Sequence, residues 1–154
     1  MAWTFTTLKS AIQDYTNNTE STFVSYLDEF IVNTEDRIQK LVSLPVFRKN
    51  VTGTLTLGNQ YLSVPTDFLS AHSFIVAPTP NANFTAELHY EYTPTSITTS
   101  SDGTSYLGTN ASDCLLYGSL LEAYTFMKGE PDIMANYEKR FQQAIDRLKV
   151  FAEG

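Results

Sequence analysis

The 154-residue chain has one cysteine, Cys114. Disulfide frameworks and multi-thiolate metal sites within one chain are thereby excluded. Its only histidines are His72 and His89, so a hydrolase constellation built on imidazole has few possible members. Positive charge is scarce: 10 Lys and Arg stand against 17 Asp and Glu, for a net charge of −7. Such a chain is a poor candidate for wrapping duplex DNA, because grip on phosphates comes from Lys and Arg. No apolar run approaches the ~18 residues that span a bilayer, and no membrane partner is expected. Met1-Ala2-Trp3-Thr4-Phe5 has neither the basic start nor the long apolar stretch of a signal peptide, so none is expected. The sequons at Asn17, Asn50, Asn83 and Asn110 then carry little meaning. The patterns GxxxxGK, GxGxxG and GxSxG are absent. No enzyme activity, cofactor or metal is expected.

What is present is a core-forming composition. Apolar residues make up 42% and charged residues 18%, rather few charges for a lone soluble monomer. The length suits one domain. Nine Tyr and ten Phe exceed what core packing uses, and the surplus fits a subunit that buries an external surface. The charge is uneven. Between Asn50 and Met127 there is no Lys or Arg, yet Asp67, Glu87, Glu91, Asp102, Asp113 and Glu122 lie there. That middle cannot hold a polyanion by counterion release.

From about Phe5 to Leu44 the pattern is helical. Thr6 and Thr7 are candidate caps for a first helix through Tyr15, and Asn17-Asn18-Thr19 breaks it, with Thr19 the next cap. Phe23, Leu27, Phe30, Ile31, Ile38, Leu41 and Val42 make one stripe, with Asp28, Glu29, Glu35, Asp36, Arg37 and Lys40 assigned mostly to the remaining surface. Pro45 is expected to end this helix at Leu44. From Val51 to about Tyr106 the pattern is that of strands. Gly58-Asn59 is a hairpin candidate between Thr52–Leu57 and Tyr61–Val64. Ser73–Ala77 reads as a strand, Pro78–Asn83 as a turn, and Phe84–Tyr92 as the clearest strand, with Leu88, Tyr90 and Tyr92 on one face and Glu87, His89 and Glu91 on the other. Thr93–Gly108 reads as a long polar loop of the kind that is often functional. Asn110 is a candidate cap, with Asp113 completing a box. Cys114–Met127 is apolar nearly all round, so this helix is expected at the centre of the fold, stopped by Gly129. Pro131 opens a last helix striped by Ile133, Tyr137, Phe141, Ile145 and Leu148. The class is α+β: N- and C-terminal helices form a bundle with an inserted small antiparallel β-sheet lobe. The chain 1–154 reads as a single domain, helical over 1–50, β-rich lobe and loop over 51–109, and helical over 110–154.

Three groups of side chains are candidates for chemistry. Glu87, His89 and Glu91 share a strand face and present two carboxylates and an imidazole. Ligands along one strand seldom converge on a metal, so a face meeting solvent or a neighbouring subunit is the expectation. Arg140 and Arg147, with Lys139 and Lys149, suggest either a phosphate-binding face or a helix flank pairing with carboxylates. His72 reads as a structural histidine and Cys114 as a small buried hydrophobe.

Several segments resemble, in order, the adaptor (head-to-tail connector) family of tailed bacteriophages. They are Thr6-Thr7-Leu8-Lys9-Ser10-Ala11-Ile12-Gln13-Asp14-Tyr15, Leu44-Pro45-Val46-Phe47-Arg48-Lys49-Asn50, and Tyr61–Leu69, which is similar to an LxxPxDFL element. Ile75–Tyr90 and Leu115–Asp132 resemble the family's hairpin and late helix-turn-helix. The resemblance implies a virion structural protein without catalytic residues. It implies a homo-oligomeric ring, usually dodecameric, beneath the portal protein at the virion neck, assembled in the host cytoplasm. That ring joins the portal to a tail or nozzle protein and extends a channel through which DNA passes without specific binding. Portal contact is expected at Arg140, Arg147 and Lys149. Tail-side or subunit contact is expected at Glu87, His89, Glu91, Asp102 and Tyr106, with Thr93–Gly108 ordering on a partner. A carbohydrate- or receptor-binding virion module using the Tyr-rich sheet is the alternative. Relatives carry an extra stretch before Ile75. Either this chain is naturally shorter or residues are missing, and the second version predicts a break at Phe74–Ile75.

Overall fold

The computed structural model describes residues 2–68 and 73–153. It divides into a helical unit, residues 1–43 and 95–154, and a lobe, Leu44–Pro94.

The helical unit begins at Thr4, whose side chain accepts the Thr7 amide while Thr7 returns the bond to the Thr4 amide, a reciprocal capping box. The cap thus lies before Thr6, and Thr7, the third helical residue, is its partner in the box. Helix α1 spans Phe5–Thr16 and stops where Asn17 turns left-handed at φ 45°. Helix α2 spans Ser21–Leu41. Its cap position is Glu20, whose amide is held by the Asn18 side chain (2.9 Å), so Asn18 does the work expected of Thr19. Helix α2 ends three residues before Leu44, because Val42 leaves in extended conformation and both Val42 and Leu44 are buried outside the helix. Pro45 instead opens a 3₁₀ turn, Pro45–Phe47.

After the lobe, the chain forms a short helix α3, Tyr106–Asn110, then α4, Ser112–Phe126, and α5, Pro131–Glu153. Asn110 ends α3 rather than capping α4, whose cap position is Ala111 without a side-chain bond. Helix α4 is central as expected: it packs against α1, α2 and α5, and Leu115, Leu120 and Ala123 are fully buried. The left-handed residue after it is Lys128 (φ 54°), one before Gly129, and the Gly129 amide closes onto Tyr124 O (2.8 Å). The core joins Leu8 and Ile12 of α1, Phe23, Leu27 and Ile31 of α2, and the buried face of α4. Phe141, Ala144, Ile145 and Leu148 carry the α5 stripe inward, while Ile133 at its start is exposed.

Among the described residues, the lobe holds four strands in two antiparallel pairs. Strand β1, Arg48–Leu55, pairs with β4, Phe84–Glu91, from Arg48↔Glu91 to Leu55↔Phe84. Strand β2, Tyr61–Ser63, pairs with β3, Ser73–Ile75. Gly58-Asn59 is therefore a bend and not a hairpin tip. Asn59 N–H does close a turn onto Thr56 O (3.0 Å), but Gly58 N–H and Leu57 N–H reach across to Pro80 O and the Asn83 side chain (both 2.9 Å). The two strand pairs are thus one ribbon bent at 56–60 and 76–83. Strand β3 runs through Phe74 and Ile75, paired to Leu62 and Tyr61 of β2. His72 lies outside the described residues.

Candidate functional site

The polar segment after the lobe is a packed strap. Ile97 is fully buried among Leu8, Leu27 and Leu115 of the helical core. Its amide donates to Glu35 Oε1 (3.1 Å), and Ser105 Oγ reaches the same oxygen (3.4 Å). Glu35 is buried, not on the outer face of α2. The spacing carried the signal, since position 35 is four beyond Ile31 and three before Ile38. Burial raises its pKa, opposed by hydrogen bonds from the 96–105 segment. Trp3 and Phe5 amides donate to Gly108 O and Gly103 O (both 2.8 Å), closing the other side of the strap. The segment expected to order on a partner is thus already held in this chain.

Asp102 and Tyr106 sit on this strap. Asp102 is exposed and accepts from Ser100 Oγ and Thr104 N–H, which hold its carboxyl down at about 2. Tyr106 begins α3 and is half-buried. Glu87, His89 and Glu91 belong to the lobe, so the expected tail-side residues divide between the two units. His89 Nε2 lies 3.6 Å from Glu87 Oε1, and Glu91 receives Arg48 Nε at 3.4 Å. Among the described residues, no three His, Cys, Asp or Glu side chains gather as metal ligands.

Lys49 Nζ meets Asp67 Oδ2 at 2.7 Å, and Tyr90 Oη donates to Asp67 Oδ1 at 2.8 Å. Lys49 also sits over the Tyr92 ring, 3.8 Å from its centroid. Phe68 stacks on Tyr90 (5.4 Å between centroids) and meets Phe74 edge-on. Asp67 and Phe68 of the LxxPxDFL element therefore bind the returning chain to β4. The Lys49 and Tyr90 bonds hold the Asp67 carboxyl below its usual range.

Arg140, Arg147 and Lys149 all lie on α5. Arg140 donates to Asn136 Oδ1 and Tyr117 Oη (both 3.2 Å), with its guanidinium over the Tyr117 ring. Arg147 is exposed and pairs with Asp113 of α4 at 3.4 Å. Lys149 is half-buried. Beside Arg140, Tyr15, Tyr117, Tyr124 and Tyr137 line an open groove, with Tyr124 and Tyr137 5.2 Å apart. The tyrosine concentration that composition assigned to the sheet is therefore largely on helices, and Tyr90 is buried. Cys114 is buried too, and desolvation followed by the Asp113 charge pushes its thiol up to about 11, far from a thiolate nucleophile.

The polar side chains of these surfaces are engaged with one another, and aromatic rings face outward around them. A family model described as SU10 adaptor protein matches residues 70–153, more than half of the chain, from the second part of the lobe through α5. The chain belongs to this family of bacteriophage adaptor proteins and is a virion component. The match takes in the Ile75–Tyr90 and Leu115–Asp132 segments that carried the resemblance. No curated protein matches the chain. No helix among the described residues is long and apolar enough to cross a membrane.

Proposed function

We propose that the protein forms a ring at the virion neck, joining the capsid portal to the tail or nozzle and extending the DNA channel. Helical unit and lobe act together as a single adaptor domain. Family membership over residues 70–153 is the observation that carries this reading. Charge supports it. With no Lys or Arg between Asn50 and Met127, a channel wall built from this stretch would repel DNA and let it slide. Portal contact falls to α5 around Arg140, Arg147 and Lys149. Glu87, His89, Glu91, Asp102 and Tyr106 face the tail or the next subunit.

The test is addition of the purified chain to isolated portal rings, followed by sizing and cryo-electron microscopy. A ring of added density on one portal face is expected. Charge reversal at Arg140, Arg147 and Lys149 together should abolish docking. Undiminished docking would move the portal contact elsewhere, and no binding by the wild-type chain would overturn the adaptor-ring reading.

A further inference from the structure

The bend of the lobe ribbon carries apolar side chains that the lobe does not bury. Leu57 is 63% exposed, Tyr61 55%, Ile75 67% and Phe84 49%. They are neighbours by register: Tyr61 pairs with Ile75, Phe84 pairs with Leu55, and Leu57 bonds to Asn83. Val46, in the 3₁₀ turn before β1, and Val51, within β1, are also exposed. Two-stranded ribbons are marginal alone in water, and contiguous exposed apolar surface marks an interaction site.

Charge indicates what covers it. Asn50–Thr66 and Phe68–Ala86 contain no Asp, Glu, Lys or Arg. The lobe's five formal charges nearly cancel, with Arg48 facing Glu91 and Lys49 facing Asp67, which leaves Glu87. The helical unit is different, with eight Lys and Arg against fourteen Asp and Glu. Two copies approaching through helical units meet net repulsion; two approaching through lobes do not. An uncharged patch also disfavours a charged partner, which would lose hydration without gaining a pair. The occupant that matches is the charge-free stretch of another lobe.

We propose that the lobe is the contact between copies of this chain, the bend of one lobe packing against the exposed Val46 and Val51 of the next. Two unlike surfaces on one lobe are what a rotation-closed, head-to-tail contact requires. The inference deepens the ring reading and takes its setting from it.

The test compares wild type with Ile75→Glu/Phe84→Glu, with Leu57→Thr as a milder variant and Leu41→Glu, at an exposed position of α2 in the helical unit, as control. Far-UV circular dichroism checks folding. Each is titrated onto portal rings, and mass is followed by light scattering with and without portal. Wild type and the Leu41 variant should load cooperatively. The lobe variants should lose cooperativity and need about tenfold more chain, or beyond, for half-saturation. Cooperative loading by the folded lobe variants would overturn the lobe contact and leave the adaptor reading intact. Should wild type not bind portals, the adaptor-ring reading fails, and solution mass decides the lobe alone. Concentration-dependent growth lost in the lobe variants supports it; its absence in wild type overturns it.

Discussion

The Glu35 carboxylate, on α2, accepts the backbone amide of Ile97 at 3.1 Å across 62 residues of sequence. The bond fastens the strap between lobe and α4 to the helical core. Desolvation raises the Glu35 pKa, so the folded protein binds a proton more tightly than the unfolded chain. Stability from this group is therefore greatest at low pH. It declines as pH rises from the ordinary value of 4.5 through the raised folded value. Glu35→Gln should flatten that decline in thermal melts across the window. Glu35→Ala should cost about 1–3 kcal/mol at low pH, because the Ile97 amide is left buried without an acceptor, and less as pH rises through the folded value.

Gly118 lets α4 lie close to two neighbours. A Cβ there would collide with Thr34 Cγ2 of α2 and stand 3.0 Å from the Phe141 ring of α5. Gly118→Ala should therefore destabilise the protein by about 1–3 kcal/mol despite alanine's better helix propensity. Urea unfolding measures this, and an unchanged midpoint would contradict the close packing.

Asp67 pins the lobe, and its removal should loosen the lobe alone. In Asp67→Ala, amide exchange should quicken at β4 and around Phe68, with protection in α4 and α5 unchanged. Its lowered pKa gives the opposite pH sense from Glu35. The stabilisation is present above the ordinary value of 3.8 and is lost as pH falls through the folded value. The pair with Lys49 is exposed, so salt should weaken it.

Arg147 and Asp113 offer a way to separate folding from docking. The double exchange Arg147→Asp/Asp113→Arg keeps opposite charges facing across α4 and α5. Melting temperature should stay near wild type, since an exposed pair is worth about 0–1 kcal/mol. Portal docking should fall as it does in the single Arg147→Asp variant. Full docking by the exchanged protein would show that Arg147 serves only its intrachain pair.

The helices were legible because their apolar spacing was strict. Phe23, Leu27, Ile31 and Ile38 fix the buried face of α2, and the all-round apolar run from Cys114 places α4 at the centre. Caps were less legible, because Thr4, Thr6, Thr7 and Thr19 offer the same hydroxyl and only long-range packing selects among them. Glu35 was misassigned by its charge, although its position on the stripe marked it as buried. The strand pairing failed at Gly58-Asn59 because turn chemistry is local. A bend and a hairpin use the same residues there, and the distant bonds to Pro80 and Asn83 decide between them. The roles of Asp67 and Lys49 depend on a meeting 18 residues apart that no spacing rule announces. The interface candidates rested on family resemblance, since side chains facing another molecule obey no internal periodicity.

The two strands that begin and end the lobe lie side by side, joined where the Tyr92 amide donates to Phe47 O at 2.9 Å. Everything between them leaves and re-enters the helical framework through a single doorway. Insertions, deletions or wholesale replacement of the intervening segment therefore require only that these neighbouring ends be preserved.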